Sequence, residues 1–121
     1  MTPDDLAAPR ATYVVWDAMP TTRVAPGIDR QVVHGDGVTL LRLALSSGTT
    51  LPRHAHPHEQ HTTVLEGRLA VVFDDEAAGG VIEVGPGETI SIPGGLPHEA
   101  RALAGVVALE LFVPRRDDLP R

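Results

Sequence analysis

The chain contains no cysteine. Disulfides, thiolate nucleophiles and cysteine-ligated zinc or iron–sulfur centres are therefore excluded. It contains no lysine either, all ten basic residues being arginine, so Schiff-base chemistry through a lysine amine is ruled out. Aromatic residues are only 3% of the chain, which leaves Val, Leu, Ile and Ala to build any core. No apolar run approaches the ~18 residues that a membrane-spanning helix needs. The start, Met1-Thr2-Pro3-Asp4-Asp5, lacks the positive charge and apolar stretch of a signal peptide. A soluble cytoplasmic protein is the expectation. Sixteen acids against ten bases give a net charge of −6, so no basic field exists to attract nucleic acid or an anionic membrane.

What is present fits one domain: 121 residues with 42% apolar content. The N-terminal stretch to about Arg10 is polar and reads as a loose arm. Thr12–Trp16 is predicted to be a strand, one that pairs with a second copy of the protein, and Pro20, Pro26 and Gly27 mark a loop. From Arg30 onward, short apolar segments alternate with turn signals. Gln31–His34 and Val38–Leu45 flank Gly35-Asp36-Gly37; Thr62–Leu65 and Arg68–Phe73 flank Glu66-Gly67. Val81–Val84, Glu88–Ile92 and Val106–Val113 follow, separated by Gly- and Pro-containing turns. No window has a sustained helical period. The pattern predicts an all-β sandwich or barrel over 30–114, with an arm and edge strand over 1–29 and a charged segment over 115–121 that is either a tail or a cover for the barrel.

Four of the six histidines lie in His54-Ala55-His56-Pro57-His58-Glu59-Gln60-His61. On a strand, alternate residues share a face, so His54 and His56 are predicted to project together. Imidazoles aimed at one point suit Zn, Cu, Fe and Ni. The cluster alone also reads as a solvated histidine-rich turn. His58 and Glu59 are expected at the rim, and His34, beside a turn, at the surface. Arg42 reads as a sheet-surface arginine, with an inward-facing anion ligand as its alternative.

A wider frame bears on the cluster. Gly48, His54-Ala55-His56, Gln60 and Gly67 are spaced like the first motif of the cupin superfamily, and Gly87, Pro93-Gly94-Gly95 and His98 like its second. The chain thus resembles a small single-domain cupin, which implies a jelly-roll β-barrel holding one divalent ion on His54, His56, Gln60 and His98. The ion's identity stays open among Zn, Fe, Mn, Ni, Co and Cu. The family's first motif usually has Glu where Gln60 stands, and its second often ends in Asn where Ala102 stands. His61 would substitute as ligand if the register slipped by one, but the distance to Gly67 favours Gln60. Three imidazoles and an amide carry no negative charge, which favours Lewis-acid polarisation of an anionic or enolic oxygen.

Within that superfamily, His56-Pro57-His58-Glu59-Gln60 and Glu110-Leu111-Phe112-Val113-Pro114-Arg115-Arg116 resemble the pectin-degradation cupins that open unsaturated uronates. That resemblance implies catalytic roles for Glu110, Phe112 and Arg116: a proton shuttle, an apolar wall and a carboxylate grip. Read without it, the same residues are a partly buried acid, a core aromatic and a solvated arginine. The functions to weigh are a non-oxidative isomerase, lyase or cyclase acting on a small oxygenated substrate such as an unsaturated uronate, an aromatic polyketide cyclase, an oxygen-using dioxygenase, and a non-catalytic ligand-binding module. The likeness also implies a homodimer.

Overall fold

The structure, a computed structural model, describes residues 8–120; the expectation of an arm over the first residues falls largely outside them. Among the described residues there are ten strands: β1 (Thr22–Ala25), β2 (Ile28–His34), β3 (Thr39–Leu45), β4 (Thr50–His54), β5 (Glu59–Glu66), β6 (Leu69–Phe73), β7 (Val81–Val84), β8 (Thr89–Ile92), β9 (His98–Ala102) and β10 (Val106–Val113). Among the described residues the one helical element is a 3-10 turn at Trp16–Ala18. The strands form two antiparallel sheets, one in the order β1-β2-β3-β10-β5-β8 and one in the order β4-β9-β6-β7. The fold is the all-β jelly roll that the strand spacing and the resemblance predicted.

Alternation along the strands builds the interior. In β3, Leu41, Leu43 and Leu45 are buried; in β10, Val106, Ala108, Glu110 and Phe112; in β6, Leu69, Val71 and Phe73. Each aliphatic side chain taken out of water contributes about 1.5–3 kcal/mol, so a core poor in aromatics still holds the sheets together. Turn chemistry sets the register. Gly67 closes the β5–β6 hairpin at φ +83, and a Cβ there would overlap the Gly105 carbonyl, so only glycine is accepted.

Several local expectations are corrected. Thr12–Val15 joins no ladder, and Trp16 begins the 3-10 turn. The carbonyls of Trp16 and Met19 accept hydrogen bonds from the Gln31 side chain, at 2.6 and 3.0 Å, which anchors that turn to β2. Strands at Thr22–Ala25, Thr50–His54 and His98–Ala102 were not read from sequence: the first is a four-residue stretch between Pro20 and Pro26, and Pro52 and histidines interrupt the apolar pattern of the other two. His34 is half-buried rather than a plain surface residue. Its Nε2 donates to the Leu119 carbonyl (3.0 Å), and Thr39 Oγ1 lies 2.8 Å from its Nδ1. Thr39 Oγ1 also accepts the Arg116 backbone N–H (2.8 Å). The C-terminal segment 114–120 is thereby strapped across one end of the barrel, with Leu119 packed against the core.

Candidate metal centre

Three histidines converge at that end. His54 closes β4 and pairs with His98, the first residue of β9; His56 lies just past β4, in the loop before β5. His56 therefore reaches the site by a loop and not by alternation along one strand. That loop is held from below by the Pro93-Gly94-Gly95 turn. Gly95 N–H donates to the His56 carbonyl (2.7 Å), and a Cβ on Gly94 would collide with the Pro57 carbonyl. One nitrogen from each of His54, His56 and His98 lies within 4.8 Å of the others.

Which nitrogens are available follows from backbone contacts. The Nδ1 atoms of His54, His56 and His98 lie 2.9, 3.0 and 2.8 Å from the carbonyls of Pro52, His58 and Leu96. A carbonyl only accepts, so each Nδ1 carries the proton and each Nε2 presents a lone pair. Burial pushes His56 and His98 below the usual histidine range, which favours those neutral forms. His98 Nε2 is buried with no partner among the described residues. An orphaned lone pair of that kind calls for an explanation.

The fourth donor is Gln60, on the inner face of β5. Its Nε2 donates to Glu110 Oε2 (2.7 Å) and to Thr62 Oγ1 (3.0 Å), so its Oε1 turns to His56 Nε2, 3.0 Å away. Two lone pairs face each other there, an arrangement that repels unless a cation or a proton stands between them. The depressed basicity of His56 disfavours the proton. A divalent cation fits what the side chains present: three unprotonated imidazole nitrogens and an amide oxygen. His61 lies on the other face of β5, with Nδ1 2.8 Å from Ser91 Oγ. The register thus brings Gln60 to the three histidines and turns His61 away.

Around these donors lies a cavity of about 390 Å³, lined by His54, His56, Gln60, Thr62, His98, Glu110, Phe112 and Arg116 among others. Glu110 is buried on β10, where Oε2 also accepts from Thr62 Oγ1 (2.7 Å). Burial raises its pKa above the usual carboxylate value, against the pull of those two donors. Phe112 presents its ring edge-to-face to His56, centroids 5.6 Å apart, and the Arg116 guanidinium sits 4.7 Å over the same ring. Arg116 also grips Asp118 through Nε (2.9 Å) and Nη2 (2.7 Å), which depresses the Asp118 carboxyl to about 2. The structure brings together all seven residues singled out from sequence. His58 lies at the rim, its carbonyl serving His56 and its Nδ1 buried without a partner among the described residues. Arg42 points away from the cavity and pairs with Asp17 at 3.2 Å. Sequence reasoning missed Thr62, although its place two residues beyond Gln60 signals a shared face.

Comparison with known proteins agrees with this fold. The profile of the cupin domain family matches residues 41–113. Among solved structures, the chain is similar to KdgF from Halomonas sp., with a TM-score of 0.80 and 27% identity over 88% of this chain and 98% of that one. It is similar in fold to an RmlC-like cupin from Shewanella frigidimarina, with a TM-score of 0.80 and 21% identity over 90% and 96% of the two chains. An oxalate decarboxylase from Bacillus subtilis, OxdC, matches with a TM-score of 0.73 and 22% identity over 87% of this chain and 31% of its own. No curated protein sequence matches.

Proposed function

The chain belongs to the cupin domain family, and from that premise we propose that it is a metal-dependent, non-oxidative enzyme, an isomerase, lyase or cyclase acting on a small oxygenated substrate such as an unsaturated uronate. The observation that carries this reading is the donor set: three imidazoles whose Nδ1–H groups are committed to carbonyls, with Nε2 lone pairs gathered near the Gln60 amide oxygen. A divalent ion held by His54, His56, Gln60 and His98, one per chain, would supply Lewis-acid polarisation of a carbonyl or enol oxygen. Imidazole and amide donors accept several divalent ions, so the proposal does not name one.

The remaining roles belong to the protein. Glu110, buried on the cavity wall, is the acid that would pass a proton between carbon and oxygen of the substrate. Phe112 closes the wall beside His56 and excludes water from that face. Arg116 covers the Phe112 ring at the mouth while its Nε and Nη2 hold Asp118, so a substrate anion would compete with that carboxylate for it. The motif run His56–Gln60 and the ending Glu110–Arg116 support the uronate class. One observation favours a second reading: Val24, Ile28, Leu41, Leu43, Leu51, Leu69 and Val71 give the same cavity a largely apolar lining. An aromatic substrate, as in polyketide cyclisation, fits that lining.

The test is elemental analysis of the native protein and of a His54→Ala/His98→Ala variant, followed by turnover assays on the metal-loaded protein. About one equivalent of divalent metal per chain, lost in the variant, is expected. Conversion of an unsaturated uronate that disappears in metal-loaded Glu110→Ala is the second expected result. A native protein that takes up no metal after reconstitution with several ions would overturn the proposal.

A further inference from the structure

We infer that Arg30 is a substrate-binding residue, and that the ligand of this cavity carries an anionic end, a carboxylate in chemical class, which the Arg30 guanidinium receives. The inference rests on the cavity proposed above as the active site, and it concerns recognition rather than the reaction.

The placement comes from the ladder. Ile28, Arg30 and Val32 of β2 lie opposite Leu45, Leu43 and Leu41 of β3. Residues directly opposite in an antiparallel pair share a face, and all three leucines are buried in the core. Arg30 is therefore on the inner face, flanked along its strand by Ile28 and Val32. Its outward neighbour Gln31 lies opposite Arg42, the arginine that pairs with Asp17 outside the barrel. Arg30 is half-buried and lines the cavity that contains the three histidines.

Charge distribution sharpens the point. Arg23, Arg42, Arg53, Arg68, Arg101, Arg115 and Arg116 each have a carboxylate within ion-pair distance. Arg30 has no such carboxylate and no side-chain hydrogen bond among the described residues, although it is partly withdrawn from water. A cation in that position has given up hydration without compensation from the protein. Of the other two arginines on the cavity, Arg53 spends Nε and Nη2 on Asp74, and Arg116 spends the same pair on Asp118. Arg30 is thus the guanidinium with its full fork open to an incoming carboxylate. The apolar lining beside it suits the body of such a ligand.

Binding to the metal-loaded protein tests this by calorimetry with two matched pairs: D-galacturonate against D-galactose, and 2-naphthoate against 2-naphthamide. Wild type is expected to prefer the acid in at least one pair, and Arg30→Gln to lose that preference by about tenfold or more. Arg30→Lys, which keeps the charge without the fork, should keep part of it. Outward-facing Arg42→Gln should keep all of it. Metal content equal to wild type shows that the Arg30 variants retain the site. Wild type that prefers neither acid, or Arg30→Gln that retains the preference, would overturn the inference. Preference for galacturonate without conversion of unsaturated uronates leaves Arg30 assigned and removes the uronate reaction. Conversion with acid preference unchanged in Arg30→Gln does the reverse.

Discussion

At the scale of single residues, the site turns on how one amide is oriented. Three imidazoles and a glutamine would leave a bound divalent ion with no compensating charge among its ligands. The structure supplies a carboxyl group one step removed: Glu110 Oε2 takes hydrogen bonds from Gln60 Nε2 and Thr62 Oγ1. The same contact turns the Gln60 oxygen toward His56. Partners of this kind, placed behind a ligand, tune affinity by about 10- to 100-fold. Glu110→Ala is therefore expected to weaken metal binding by roughly that factor, read by competition with a chromophoric chelator. Thr62→Val, which leaves the carboxyl in place, should weaken it less. Unchanged affinity in Glu110→Ala would show that Glu110 has no orienting role. The sequence places Gln60 and Glu110 on inward-facing strand positions, but no spacing rule brings residues fifty apart to within 2.7 Å. The Glu110–Thr62 and Phe112–Gln60 pairing across β10 and β5 does that.

Among the elements, the loop between β4 and β5 and the turn before β9 act as one piece. His56 sits on the first, and Gly94 and Gly95 of the second approach it so closely that no side chain fits at Gly94. Gly94→Ala is predicted to push the His56–Pro57 backbone outward and to lower metal occupancy, while the barrel keeps its far-ultraviolet circular dichroism. Full occupancy by elemental analysis would show that the loop yields without moving His56. The motif spacing from Gly87 to His98 pointed to this turn from sequence alone. The strand-alternation argument for His54 and His56 reached the right pair by the wrong route, because the strand ends at His54 and the loop supplies the second imidazole. The segment over 114–120 was legible as either a tail or a cover for the barrel, and the structure makes it a cover. Its anchoring through Arg116 N–H to Thr39 and His34 to the Leu119 carbonyl joins residues about eighty positions apart.

For the whole molecule, the six-stranded sheet ends on β1, whose outer edge has no partner strand among the described residues. Such an edge is open to pairing with another chain. Tyr13, Val15 and Val24 are exposed nearby in sequence, Tyr13 at 90%, and a lone monomer gains nothing from leaving them in water. A homodimer covering this side is the expected state in solution. Light scattering should give twice the mass of the chain, 12.8 kDa, and Val24→Asp should shift it toward the monomer. A monomeric mass that persists at high concentration would overturn this expectation.

The sequence by itself determined the β class and the single core built from aliphatic residues, since alternation and turn chemistry are local properties, and its resemblance to the cupins implied the seven residues to watch. It also excluded thiolate and lysine-amine chemistry outright. Only the tertiary structure decided that the three bare imidazole nitrogens converge, that the Gln60 oxygen faces them, and that Arg30 reaches their cavity with no carboxylate beside it among the described residues. Those properties depend on which strands lie side by side. Pairing between strands far apart in the chain is selected by the packing of the whole core, and no local pattern encodes it.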